Sequence, residues 1–435
     1  MQTLKLTKKY ETYPEYKDSG VEWLGKIPKG WRVEKNKVAF SFKKEVVGER
    51  KNDFKILSLT LKGVIPRDME NNQGKFPADY ATYQIAKRND LVMCLFDMDV
   101  TPRTVGYVGE TGLLTSAYRV FQPKKDICTK FYYYYQLMLD DTKELLHFTG
   151  GLRNSISKEF FLNLSAPIPS FPDQEKIAKY LDEKTSSVDK IIEKKERQIE
   201  LLKEKRITCI NQTVTKGLDP NVEFVESDIS WIGKIPKRWQ MRKIFHLFKI
   251  IGSGTTPDDK YLTNSEVGIP WVNTGDLTDS YIELPSKKVK PEALQECSAL
   301  KLFSKNAVII AMYGATIGKL GIPQFDFCTN QACCVLEGPS KFISERFIYF
   351  WLLGNKKYII EMGVGGGQPN INKDIVKSLK VSLPPKSIQD EIVVYLDKKV
   401  SGYDKAIKSI QESIGLLREF KSSLISNVVT GKIKI

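Results

Sequence analysis

Trp23-Leu24-Gly25-Lys26-Ile27-Pro28-Lys29-Gly30-Trp31 returns 208 positions later as Trp231-Ile232-Gly233-Lys234-Ile235-Pro236-Lys237-Arg238-Trp239. A second string, Gln174-Glu175-Lys176-Ile177-Ala178-Lys179-Tyr180-Leu181-Asp182, returns at an offset of 215 as Gln389-Asp390-Glu391-Ile392-Val393-Val394-Tyr395-Leu396-Asp397. One unit with an irregular front and a regular back was therefore laid down twice, with a small net insertion. A period of about 200 residues is far too long for a stack of small repeats. It predicts two similar domains, each followed by its own tail, and a duplicated reader suggests a target with two similar parts.

Each tail reads as a long helix. After Pro172 no glycine or proline occurs until Gly217, and charged residues crowd in. Alternating steps of four and three from Leu181 land on Thr185, Val188, Ile192, Lys195, Ile199, Leu202, Arg206 and Cys209. The same steps in the second tail give Leu396, Val400, Tyr403, Ile407, Ile410, Ile414, Leu417, Lys421 and Leu424. This spacing is the seam of a coiled coil. A lone helix would expose the stripe, so the two are expected to pack on each other. Antiparallel pairing is favoured over parallel because it relates the two copies by a pseudo-twofold axis. Helices of roughly 40 residues would be about 60 Å long. Their outward charges, Glu193, Lys194, Glu196 and Arg197 among them, read as a solvated or protein-docking face.

The rest is mixed. Leu57, Asp90–Phe96, Ala117–Phe121 and Ala307–Tyr313 lie in runs that read as strands bounded by turn residues, and Phe131–Leu139 as a helix. Ser157–Leu164 fits a strand or a short helix. The fold class is therefore α+β: two similar mixed α/β globular domains, residues 1–170 and 218–386, separated by two long helices, 171–217 and 387–435, packed as an antiparallel coiled coil. Thr430-Gly431-Lys432 at the end of the chain resembles Thr215-Lys216-Gly217 at the close of the first helix. The two termini are accordingly expected to lie close together, in a pseudo-twofold circular arrangement. The tryptophans of the repeated block read as core anchors rather than base-stacking platforms.

With 67 Lys and Arg against 52 Asp and Glu, the chain carries a formal charge of +15. So basic a balance favours a polyanionic partner, most often nucleic acid. Seven cysteines without a C-x-x-C pair, a polar and charged first stretch, and no apolar run longer than a strand point to a reducing cytoplasm and no membrane. Catalytic constellations are missing. The two histidines, His147 and His246, sit in no metal-ligand spacing, so neither metal nor cofactor is expected. Gly314–Lys319 falls one residue short of a phosphate loop and lacks the hydroxyl residue after its lysine. No N-P-P-[FY] methyltransferase string occurs. Pro257-Asp258-Asp259-Lys260 and Pro172-Asp173-Gln174-Glu175-Lys176 are too compressed for a nuclease and read as a turn and a helix start, the latter capped near Asp173.

Taken together, the tryptophan block before each domain, the strings GSGTTP (252–257), IPWVNTGDL (269–277) and YGATIGKLG (313–321), and the Q-[ED]-x-I-x-x-Y-L-D opening of each helix resemble the specificity subunits of Type I restriction-modification systems. The resemblance spans essentially the whole chain. It implies a subunit without chemistry of its own, whose two target-recognition domains each read one half of an asymmetric bipartite site in double-stranded DNA. It implies that the helices set the unread gap and dock two DNA methyltransferase subunits, and that a restriction-translocase subunit joins them. The alternative of another class is a duplicated coiled-coil adaptor for RNA or protein.

Base edges are read by forked or amide side chains, Arg for guanine and Asn or Gln for adenine. Glycine-rich loops let the backbone approach closely. On these grounds the candidate DNA contacts are Tyr313, Thr316, Lys319, Gln368, Asn370 and Asn372 in the second domain. At the corresponding places in the first they are Arg103, Thr104, Arg153, Asn154 and Ser155. The first domain lacks the GxGTTP string, and Asp97–Arg103 replaces the Tyr313-Gly314 turn.

Overall fold

Leu91–Met93 and Val308–Ala311 are apolar throughout and buried on both faces, so each becomes the centre of a sheet. They do so in a computed structural model that describes residues 10–68, 79–151, 153–265, 267–363 and 370–435. Contacts divide the chain into two compact units, residues 1–195 with 412–435, and residues 196–411. The glycine-rich stretch Gly363–Gly367 and residue Gln368 therefore fall largely outside the described residues, as do positions 1–9 of the polar N-terminal arm.

In the first unit β1 (Phe40–Phe42), β2 (Leu91–Met93), β3 (Val105–Tyr107) and β4 (Arg119–Pro123) form an antiparallel sheet in the order β1-β4-β2-β3. Helix α1 (Thr129–Asp141) covers it with Phe131, Tyr132 and Tyr135 fully buried. A short helix α2 (Lys158–Asn163) follows, then the long α3 (Phe171–Lys216). Ser157–Leu164 thus resolves as a helix, because the Ser157 hydroxyl caps it by accepting from the Phe160 amide at 3.0 Å.

The second unit repeats the plan. Strands β5 (Phe248–Gly252), β6 (Ser280–Ile282), β7 (Val308–Ala311), β8 (Leu320–Pro323) and β9 (Cys333–Pro339) run in the order β5-β9-β7-β8-β6. The first four match β1-β4-β2-β3, and β6 adds a parallel edge beside β8. Helix α4 (Glu345–Gly354) takes the place of α1, α5 (Lys373–Ser378) that of α2, and α6 (Lys386–Val429) that of α3.

The repeated strings are joints. Gln174 is buried, and its side chain accepts from the Cys128 amide at 3.0 Å while donating to the Pro169 carbonyl at 3.1 Å. Gln389 does the same in the second unit, accepting from Ser344 at 3.0 Å and donating to Pro384 at 2.9 Å. Asp182 meets Lys130 of α1, and Asp397 meets Arg346 of α4. Trp31 and Trp239 are buried core anchors, Trp23 donates to the Tyr135 hydroxyl at 3.0 Å, and Trp231 stacks on Tyr358. The helix start near Asp173 is capped by Ser170, whose hydroxyl accepts from the Asp173 amide and donates to its carboxylate at 2.6 Å.

The long helices have 46 and 44 residues, and within each unit a segment of one packs antiparallel on a segment of the other. In the first unit Lys176 donates to Ile435 and Asp189 pairs with Lys421 at 2.7 Å. In the second Ile210 and Val214 share a core with Ile392 and Leu396, and Arg206 Nε lies 3.0 Å from Asp404 Oδ1. Arg206 and Lys421 are two of the seam's polar interruptions, and they stand 215 residues apart, as do Asp189 and Asp404. Both interruptions are therefore one ion pair, copied, and each is answered by a carboxylate on the opposing helix. A polar position in a seam fixes register because any slip strands it.

Gly431 at the end of α6 has φ +73° and packs on Pro28 and Trp31; Gly217 at the end of α3 has φ +78° and packs on Trp239. The first of these joints is non-covalent. Lys434 donates to the Glu11 carbonyl at 2.8 Å and Tyr16 to the Gly431 carbonyl at 3.1 Å, so the end of the chain meets the first described residues.

Asp90 leads into β2 from a buried turn, where its carboxylate accepts from the Lys87 amide at 2.8 Å. Burial lifts this carboxyl to about 6, against the partial relief of that hydrogen bond and Lys87. A carboxyl raised on folding binds its proton more tightly in the native state, so stability falls as pH rises through about 4 to 6 and the cost is complete above that window. Asp90→Asn keeps an acceptor for the Lys87 amide. It is expected to raise the melting temperature by about 2–4 °C at pH 7.5, the gain vanishing near pH 4. A gain equal at both pH values would count against the buried charge as its source.

Candidate nucleic-acid interface

At one end of each sheet two loops meet. In the first unit the β2–β3 loop, residues 94–104, touches the loop of residues 149–157 that leads to α2. Ile156 donates to the Leu95 carbonyl at 3.0 Å, and Asp97 donates to the Arg153 carbonyl at 2.7 Å. In the second unit Ile371 donates to the Met312 carbonyl at 2.7 Å, joining the β7–β8 loop to the segment before α5. Cys94 donates to Thr104 and Ala311 to Lys319, so the two loops start and close alike, the first being two residues longer. The loops are thus the same device on the same frame. Exposed Lys43 and Lys44 follow β1 towards this end of the first sheet.

The predicted residues divide. Tyr313, 37% exposed, stands at the loop tip beside Gly314. Thr316 and Lys319 are half-buried, and the Lys319 amide donates to the Thr316 carbonyl at 2.9 Å. Asn370 is exposed beside them. Asn372 lies on the same segment, but its side chain caps α5 by accepting from the Ile375 amide at 2.8 Å, so its acceptor is committed locally. Gln368 lies outside the described residues. In the first unit Arg153, Asn154 and Ser155 form the loop tip, with Ser155 bridged to Gly150. Arg153 is well exposed and grips Asp97, and holds that carboxyl below its ordinary range.

Arg103 and Thr104 are placed differently from the other candidates. Both turn inward to Asp140, whose carboxylate is almost wholly buried. Arg103 reaches it at 2.8 Å and Asp141 at 2.9 Å, while the Thr104 hydroxyl donates to Asp140 at 2.9 Å and its amide at 3.2 Å. Thr104 is itself buried. These residues hold the loop: Thr104 spends its hydroxyl and amide on Asp140, and Arg103 spends its Nη1 on two carboxylates and is only 17% exposed. Their positions next to the turn in sequence gave no sign of this, since the acidic partner is 36 residues away.

Sequence reasoning also missed a polar row beside the loop in the second unit. Thr256 donates to Gln331 at 3.0 Å and Asn330 to Asn273 at 3.3 Å. Met312 donates to the Ala332 carbonyl at 2.8 Å, which sets Gln331 next to Tyr313. The signal was the GSGTTP and NTGD strings, noticed as motifs but not as sites. A Cβ on Gly254 would stand 1.7 Å from the Thr329 carbonyl oxygen, so no other residue fits. Gly254→Ala is expected to lower stability by at least about 2 kcal/mol; an unchanged urea midpoint would show that the loop relaxes freely.

Lys356, behind the Lys319 loop, is paired with Asp279; burial holds its ammonium below the usual lysine range against the pull of that carboxylate. Buried thiols Cys328, Cys333 and Cys334 are pushed up to about 12 by desolvation and are inert. Among the described residues no group of three or more His, Cys, Asp or Glu is placed to hold a metal ion, and no helix is long and apolar enough to cross a membrane.

The family model described as Type I restriction modification DNA specificity domain matches residues 93–201 and 236–414. The chain is 22% identical over 340 residues to the type I restriction enzyme MjaVIII specificity subunit of Methanocaldococcus jannaschii, covering 76% of each. It is 21% identical over 443 residues to the EcoBI specificity subunit of Escherichia coli, covering 97% of this chain and 90% of that one. Among solved structures, a chain from a type I R-M system studied for complex assembly and conformational transition superposes with a TM-score of 0.72 at 14% identity, over 93% of this chain and 98% of the other.

Proposed function

We propose, since this chain belongs to the family of Type I restriction-modification DNA specificity subunits, that it selects a two-part site in double-stranded DNA and performs no chemistry itself. Residues 1–170 and 218–386 are the two target-recognition domains. Each presents its paired loops to one half-site: Arg153, Asn154 and Ser155 in the first; Tyr313, Thr316, Lys319, Gln368 and Asn370 in the second, with Thr256 and Gln331 beside them. Residues 171–217 and 387–435 set the unread gap and dock two DNA methyltransferase subunits, with a restriction-translocase subunit completing a cytoplasmic complex.

The observation that carries this reading is the repetition of one loop pair at the same end of two like sheets. The charge of +15 adds affinity through phosphate contacts, and base-edge contacts add selectivity. Electrophoretic shift of the full chain, with and without a methyltransferase subunit, on duplexes carrying two half-sites tests it. Binding should need both halves and weaken steeply with salt; equal binding to single-stranded RNA, or none to duplex DNA in either form, would overturn it.

A further inference from the structure

Arg153 is held from three directions. Its Nε donates to Asp97 Oδ1 at 3.0 Å and its Nη2 to Asp97 Oδ2. Its guanidinium lies over the Phe96 ring, 5.3 Å from the centroid, and Phe96 in turn stacks on Tyr118 at 6.4 Å and 19°. The backbones are joined as well, Asp97 donating to the Arg153 carbonyl at 2.7 Å and Met98 to the Asn154 carbonyl at 3.3 Å. Asp97 and Asn154 both take left-handed conformations, φ +48° and +38°, which keep this tip tightly folded. Yet the arginine side chain stays 68% exposed. An exposed ion pair adds little stability, and fixing a long side chain costs rotamer entropy. Constraint without burial prepares the group for a partner.

Asp97 takes the Nε edge of the guanidinium. The opposite end keeps both N–H groups of Nη1 and the second N–H of Nη2, none of which bonds a described residue, on a side chain that is 68% exposed. Two near-parallel donors of fixed orientation match the O6 and N7 acceptors that guanine alone shows in the major groove. We propose that Arg153 reads one guanine of the half-site bound by the first unit, with Asp97 as the positioning residue that aims it; this rests on the DNA-recognition reading above. Arg103 marks the contrast, since the same side chain there is committed to two carboxylates and only 17% exposed. In the second unit Tyr313 and Gly314 stand where Phe96 and Asp97 stand in the first, so the turn carries no carboxylate to aim an arginine. Its neighbours Gln331 and Asn370 are amides, and the guanine reader belongs to the first half-site.

The test is selection of a randomised duplex pool by the full chain, with and without a methyltransferase subunit, for the wild type, Arg153→Lys, Arg153→Ala and Asp97→Ala. Wild type should select a motif with a guanine at one position of one half. Both Arg153 variants should lose preference there by about 10- to 100-fold, and 7-deazaguanine at that position should weaken wild-type binding alone. Asp97→Ala should weaken the same preference several-fold while raising affinity for unrelated duplex, because a carboxylate facing phosphates is gone. A melting curve on each variant separates misfolding from lost reading. The inference is overturned if Arg153→Lys keeps the guanine, or if Arg153→Ala weakens all sequences alike and lowers the salt slope by about one, the mark of a phosphate contact. It is overturned independently of the broader reading, which fails if wild type selects no duplex at all or binds single-stranded RNA equally.

Discussion

Under the proposed function, removing residues 194–200 from the first long helix and 410–416 from the second is expected to shift the preferred gap between half-sites by about 3 base pairs, with each half-site unchanged. The excised segments are of equal length and are chosen so that the pair within each unit is kept, Asp189 with Lys421 in the first and Arg206 with Asp404 in the second, both pairs summing to the same constant. Seven residues of helix are about 10 Å, and duplex DNA rises about 3.4 Å per step. A whole heptad keeps the apolar stripe in phase and leaves both copied ion pairs in place. Deleting seven residues from one helix alone should instead break the register and cost stability, since the Asp189–Lys421 and Arg206–Asp404 pairs could no longer both form in register. Binding to duplexes of graded spacing reads the result. An unshifted optimum for the double deletion would remove the helices from the role of spacer.

Asp140→Ala is expected to cost the first unit about 3 kcal/mol, the lower end of the range for breaking a buried ion pair. Asp140 accepts from Arg103, both polar groups of Thr104, and Lys143 at 3.3 Å. Its loss leaves the amide and hydroxyl of Thr104 unpaired inside the protein, and Arg103 with Asp141 alone. Asp141 is better exposed, so Asp141→Ala should cost no more than about 1 kcal/mol. Urea unfolding of the two variants decides. Equal losses would mean that the buried carboxylate has no special part in holding the loop that carries Phe96 and Asp97.

The division of the candidate residues into exposed and inwardly committed side chains could not be read from the chain. Arg103 and Arg153 are the same residue type in similar loop text, and both were candidates. One faces Asp140 inside the unit and the other faces solvent from Asp97, a difference set by partners 37 and 56 residues away. Asn372 and Asn370 are two positions apart, yet only the first falls at the start of a helix where an amide is left to be capped. The row from Thr256 to Gln331 joins residues 75 apart that only strand pairing makes neighbours.

The amino-acid order alone determined the duplication, the two long helices, the seam and the architectural part of the tryptophans. These rest on local periodicity and on strings repeated whole, and both survive without knowledge of distant contacts. Tertiary structure alone decided how Arg206 and Lys421 are satisfied in that seam, which loops meet at the sheet end, and which side chains there are free. A side chain's availability depends on what packs beside it, and that neighbour is supplied by the fold rather than by the adjoining sequence.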